Sequence, residues 1–171
     1  SNKKACNNKQ DAAATQANDT ANAASNNQEQ TDGSTKYTDF ALPTLDGKRV
    51  LLSEVVAKNK ITMVDFWASW CGPCRMEMPN VVKAYKDFHD KGLEIVGVSL
   101  DERKEDWAEA VKEMRMTWIQ ASDLKGWKSE AARLYKVEGI PACVLINQKG
   151  EIVGADLRAE ELHARLAELL K

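Results

Sequence analysis

Two short apolar runs, ITMVDFWA (61–68) and LEIVGVSL (93–100), constrain the fold more than any other part of this chain. Each reads as a central strand, short and apolar enough to be buried on both faces. Between them lies a helical segment from about Gly72 to Asp90, closed near Gly92. Further on, DERKEDWAEAVKEMRM predicts a helix with Trp107, Val111 and Met114 on one face, TWIQA a short strand, and SEAARLYKV another helix. PACVLINQKGEIVGADL reads as a hairpin turning at QKG, and RAEELHARLAELLK as a closing helix with Leu162, Leu166, Leu169 and Leu170 inward. Upstream, TDFALPTLDGKRVLLSEV predicts two short strands around the turn at Asp46 and Gly47, then a helical turn capped by Ser53. Strands alternating with helices, then a terminal hairpin and helix, argue for an α/β sandwich with a mixed sheet flanked by helices.

The first 36 residues stand apart. They contain no Val, Ile, Leu, Met or aromatic residue. With nothing large and apolar to bury, they cannot offset the entropy of ordering, and residues 1–36 read as a disordered polar tail. The folded domain is expected over 37–171, and 171 residues suit one ordinary domain plus that tail. The 24 basic and 26 acidic residues leave a net charge of -2, which gives nucleic-acid binding no basic face to work with. Hydrophobic residues make up 43% of the chain, enough for a core, yet no apolar run approaches the length of a membrane span.

Of the four cysteines, Cys6, Cys71, Cys74 and Cys143, only Cys71 and Cys74 are close enough to act together. Their spacing admits a redox couple, half of a zinc site or an incidental pair. A zinc site needs two further Cys or His ligands. The two histidines, His89 and His163, stand alone on predicted helices at positions read as solvated, and Cys143 is one apolar residue in a strand, so no metal is expected. Redox chemistry has a physical basis here. A thiolate is the attacking form, and Cys71 falls where a strand ends and a helix begins, so unpaired N–H groups and the helix dipole favour its negative charge. Cys74, one turn further in, is expected to be more buried. Gly72 and Pro73 permit the turn and pre-set the helical start. Pro79, inside the helix, removes a backbone bond and is expected to kink the axis.

VDFWASWCGPC closely resembles the active-site strand and motif of thioredoxins, and GIPACVLINQKGEIV resembles the segment that carries the family's cis-proline. DFALPTLDGKRVLLSEV and CGPCRMEMP are similar to the TlpA/ResA branch of membrane-tethered bacterial thiol–disulfide oxidoreductases. The resemblance runs from about Tyr37 to the C-terminus. It implies a thioredoxin-like sandwich with an N-terminal β-hairpin extension and a helical insertion, and no cofactor beyond a Cys71–Cys74 disulfide. Cys71 would be the exposed attacking thiol and Cys74 the resolving one. Pro141 would be the cis-proline, with the backbone of Ile140 beside the sulfurs to pair with an extended substrate. Trp70, with Gly72 and Pro73, would form the contact surface for substrates.

Two carboxylates flank the motif. Asp65 lies in an apolar strand, where ionisation is costly and its pKa should rise; it matches the thioredoxin acid that exchanges a proton with the resolving cysteine. Thioredoxins pair that acid with a lysine on the next strand, and the corresponding residue here is Gly97. Glu77 matches the acid after the motif in the TlpA/ResA branch, on a neighbouring helix face, where it would tune the thiols or relay a proton. Of the remaining tryptophans, Trp67 reads as core or lip packing. Trp107, Trp118 and Trp127 fall in the insertion between Asp101 and Lys128, where they pack on the sheet or line a partner groove. Cys143 reads as an inert buried thiol.

Cys6 follows Ala5 and precedes the polar tail, which resembles the acylated cysteine of a bacterial lipoprotein; no apolar signal core precedes it in this chain. The expected setting is therefore the bacterial cell envelope or periplasm, with the tail as a membrane tether. The expected partners are disulfide-containing proteins and an upstream thiol donor. Two other classes compete: a thiol peroxidase of the peroxiredoxin type, and a tethered binding or chaperone module that needs no thiol chemistry. The peroxidase pattern places Pro and Thr or Ser upstream of a lone cysteine, and VDFWASWC has neither in register.

Overall fold

The computed structural model describes residues 35–171, and from Lys36 onward they form one compact unit. The tail expected over 1–36 lies, but for its last two residues, outside the described residues, as does Cys6. The described elements are strand β1 (Thr35–Lys36), the hairpin β2 (Ala41–Pro43) and β3 (Arg49–Leu51), helix α1 (Leu52–Lys58), β4 (Ile61–Trp67), α2 (Gly72–Phe88) and β5 (Leu93–Ser99). There follow α3 (Lys104–Glu113), β6 (Ile119–Ala121), α4 (Glu130–Leu134), β7 (Ala142–Asn147), β8 (Glu151–Ala155) and α5 (Ala159–Leu169).

The main sheet has the order β1-β8-β7-β4-β5-β6. Strands β4, β5 and β6 are parallel, while β7 runs antiparallel to β4 and β8 antiparallel to β7, which makes the expected mixed sheet. Every residue of β4 is buried, as its apolar run demands of a central strand. Its side chains alternate between faces. Met63 and Asp65 meet Val81 of α2 and Leu162 of α5 on one face. Phe66 packs on Tyr135 on the other, ring centroids 5.8 Å apart, and Phe40 closes the same cluster at 6.0 Å. Full burial of each large side chain is worth about 1.5–3 kcal/mol.

The hairpin turns at Asp46 and Gly47 as expected. It also meets the outer edge of the sheet at the end of β6: Ser122 N donates to Pro43 O at 3.0 Å, and Thr44 bridges Ala121. The expectation that Ser53 caps the next helix is corrected. Helix α1 begins at Leu52, so Ser53 lies inside the first turn, and its N–H donates to Asp39 Oδ1 at 2.8 Å. A carboxylate 14 residues upstream does the capping. Helix α2 continues through Pro79 to Phe88, followed by a 3₁₀ turn over His89–Lys91. His89 is exposed; His163 departs from the solvated reading, being half-buried with Nε2 2.9 Å from Asp87 Oδ2, a tie between α5 and α2.

Candidate active site

Strand β4 delivers the chain to the site. Leu100 N donates to Trp67 O at 2.8 Å, and the chain turns through Ala68–Trp70 into α2. Asp101 holds that turn. Its buried carboxylate accepts from Ser69 N at 3.2 Å, Ser69 Oγ at 2.5 Å and Ser99 Oγ at 2.6 Å. Arg75 completes the brace: Nη1 donates to Ser69 O at 2.9 Å, and Nη2 pairs with Glu113 of α3 at 2.5 Å. Sequence reading missed Asp101 as a site residue. Its signal was an acid directly after LEIVGVSL, at the carboxyl end of the strand beside β4.

Cys71 is the N-cap of α2, in extended conformation, and its Sγ accepts a hydrogen bond from Cys74 N at 3.2 Å. The two cysteines form a disulfide with Cα atoms 5.2 Å apart. Once the bond is reduced, that N–H and the helix start favour negative charge on Cys71. Cys71 is 5% exposed and Cys74 1%. The order is as expected, but Cys71 is far more covered than an exposed thiol: in the disulfide form its sulfur points toward the chain, 3.7 Å from Ile140 O. The Ile140–Pro141 bond is cis, and both residues are half-buried beside the disulfide.

Asp65 is 4% exposed, and its Oδ2 has no hydrogen-bond partner. Burial, and secondarily repulsion from Glu77, push its pKa up to about 7. Asp65 and Glu77 line one cavity of about 10 Å³ together with Pro141, Cys143 and Val81. Glu77 is half-buried and tied: Oε2 accepts from Ala159 N at 2.7 Å, at the start of α5, and Oε1 accepts from Asn80 at 3.1 Å. The neighbour of Asp65 on β5 is Gly97, as the sequence predicted. A Cβ there would lie 2.8 Å from Gln120 Nε2, so Gln120 occupies the space a longer side chain would need. Gln120 Oε1 in turn accepts from the indoles of Trp67 at 3.2 Å and Trp107 at 3.5 Å.

On the other side of Asp65, Cys143 pairs with it across β7. It is a buried free thiol, pushed up to about 12 by burial first and by the Asp65 carboxylate second. The tryptophans divide. Trp67, Trp107 and Trp118 are buried, whereas Trp70 is 55% exposed and Trp127 51%. Those two rings lie together, centroids 6.3 Å apart and tilted by 52°. Gly72 and Pro73 are also exposed. Among the described residues no cluster of His, Cys, Asp or Glu can hold a metal ion, and no helix is long and apolar enough to cross a membrane.

The AhpC/TSA family pattern matches residues 34–155. The chain belongs to that family. Within it, the chain is similar to the thiol–disulfide oxidoreductase ResA of Bacillus thuringiensis subsp. konkukian, 30% identical over 132 residues, which are 77% of this chain and 73% of that one. ResA of Bacillus subtilis is 33% identical over 114 residues, 67% of this chain and 61% of its own length. Among solved structures, the thioredoxin domain of a thiol–disulfide oxidoreductase from Bacteroides vulgatus superposes with a TM-score of 0.74 at 33% identity, covering 80% of this chain and 96% of that domain. The resemblance to the TlpA/ResA branch therefore holds, and the Cys71–Cys74 pair has the form of a CXXC redox centre in a thioredoxin-like fold.

Proposed function

We propose that the chain is a thiol–disulfide oxidoreductase that reduces or exchanges disulfides of cell-envelope proteins through Cys71 and Cys74. The observation that carries this reading is the Cys71–Cys74 disulfide at the start of α2, its sulfur beside the Ile140 carbonyl. In the reductive direction, the Cys71 thiolate attacks a substrate sulfur, the substrate S–S bond breaks, and one substrate thiolate leaves. A mixed disulfide joins Cys71 to the substrate. Cys74 gives its proton to the Asp65 carboxylate, and its thiolate attacks Cys71 Sγ, expelling the second substrate thiolate. Two electrons have passed to the substrate, and the chain is left as the Cys71–Cys74 disulfide. A thiol donor then returns two electrons and restores the dithiol.

The two acids divide the work. Asp65 is the proton acceptor, because its pKa of about 7 lets it take and return a proton near neutrality. Glu77 raises that pKa by its charge and anchors α5. Pro141 presents Ile140 to an extended substrate, and Trp70, Gly72 and Pro73 form the surface on which the substrate rests. A lipid on Cys6 would hold the domain near a bacterial membrane, with the polar N-terminal residues as the tether.

Cys74→Ser tests the central step. The variant should accumulate mixed disulfides through Cys71 that dithiothreitol releases. No trapped species, together with no reduction of a small disulfide by the unaltered chain, would sink the reading. Fast, saturable peroxide consumption would replace it with a thiol peroxidase. Activity unchanged on loss of both cysteines would point to a binding module.

A further inference from the structure

Four large apolar side chains stand exposed among the described residues, and three of them, Trp70, Met76 and Trp127, lie around the cysteine pair or in the insertion beside it. Trp70 and Met76 flank the CGPC segment in sequence. Trp127 reaches Trp70 from the far end of the insertion and is held there by a fixed turn. Gly126 has φ +58, a conformation that favours glycine, and Glu102 Oε2 lies 2.7 Å from where a Cβ would stand. Lys128 N donates to Lys125 O at 2.9 Å and Ser129 N to Gly126 O at 3.0 Å. Asp123 Oδ2 accepts from Glu130 N at 3.0 Å, and Ser129 Oγ caps α4 through Ala132 N at 3.2 Å. A braced turn thus keeps an indole half in water against a second half-exposed indole. Trp107 and Trp118, from the same insertion, are buried.

From this we infer that Trp127 is a specificity-determining residue. With Trp70 it forms an aromatic platform that selects protein disulfides whose cysteine is flanked by apolar or aromatic side chains. The inference rests on the oxidoreductase reading and deepens it. The occupant follows from continuity with the reacting sulfur: whatever bonds to Cys71 must lie next to Trp70, the preceding residue, and Trp70 is in ring contact with Trp127. Cys71 Sγ also meets the Ile140 carbonyl, so a segment bonded to that sulfur has a backbone partner at Ile140 and ring partners at Trp70 and Trp127. The two rings stand out from the surface, which suits the side chains of a peptide segment rather than an engulfed small molecule. Rigid aromatic surface of this kind binds apolar groups with little entropy loss.

The test uses the full reduced chain and three oxidants: cystamine, and two short peptides of equal charge, each carrying one cysteine joined to cysteamine. One peptide has Phe and Leu beside the cysteine, the other Ser and Gly. Stopped-flow rate constants should favour the Phe/Leu peptide over the Ser/Gly peptide about tenfold. Trp127→Ala should slow the Phe/Leu peptide about tenfold and the other two oxidants less than twofold. Trp127→Phe, which keeps an aromatic ring, should retain most of the preference. Equal slowing of all three oxidants by Trp127→Ala, no slowing of any, or no preference in the unaltered chain would overturn the inference while leaving the redox reaction standing. Failure of the unaltered chain to react even with cystamine would overturn the oxidoreductase reading and this one together.

Discussion

Asp65 is the residue whose protonation can be followed furthest. In the folded chain its pKa stands at about 7, against an ordinary 3.8. Between those values the folded state holds a proton that the unfolded chain has released. The contribution of Asp65 to stability is therefore greatest below about pH 4, falls as pH rises toward 7, and is flat beyond; the difference corresponds to on the order of 4 kcal/mol. Asp65→Asn should remove this slope, leaving a variant more stable than the parent at pH 8 and little changed at pH 4.5. Urea unfolding at the two pH values measures it; a parent chain equally stable at both would place Asp65 in contact with water. The proposed proton transfer from Cys74 gives the same group a kinetic signature. That transfer needs the ionised carboxylate, so the rate of the Cys74-dependent step should rise with pH through about 7. Asp65→Asn should slow it more than Glu77→Gln does, and equal or reversed effects in stopped-flow exchange would show the acids ranked wrongly.

At the level of elements, Glu77 joins two helices. It sits on α2 and accepts the first N–H of α5, 82 residues further along the chain. Losing a cap of this kind costs about 1 kcal/mol. Glu77→Ala should therefore lower stability by about that amount, while Glu77→Gln, which keeps an acceptor, should lower it less. Both remove the charge that repels a proton-free Asp65, so both should move the pH inflection downward. Unfolding and pH–rate curves on the pair separate the tether from the charge. This tether is invisible in the sequence. The strand containing Asp65 and the helix carrying Glu77 are legible there, because a buried apolar run and a helical period are local signals. A bond across 82 residues is not local, and neither is the cap that Asp39 supplies to α1. Ser53 looked like the cap because it stands at the right place in sequence; the competing carboxylate arrives through the β2–β3 hairpin. Trp127 shows the same limit. Its place in the insertion was readable, but which of three tryptophans faces water depends on how that insertion packs.

Over the whole described unit, the mixed sheet, the hairpin and the flanking helices follow from patterns readable in sequence. The vacant position on β5 is legible too, as Gly97. What fills it is not, since Gln120 reaches Gly97 from β6 while binding two indoles. Cys143 gives a readout for the integrity of this packing. Its thiol is buried at the centre of the sheet and pushed up to about 12. In the reduced native chain, iodoacetamide at pH 8 should label Cys71 within minutes and leave Cys143 unmodified; in urea both should react. Rapid native labelling of Cys143, read by peptide mass mapping, would mean that the sheet opens on that timescale.

The hairpin at the sheet's outer edge matters beyond this molecule's own packing. Strand β6 is short and terminal, and Pro43 and Thr44 engage its C-terminal end. Without them, free amides and carbonyls would face outward on a sheet whose next layers are already apolar, a template for another chain to extend. The small extension before the central strands thus occupies one end of an edge at which a second chain could otherwise begin to pair.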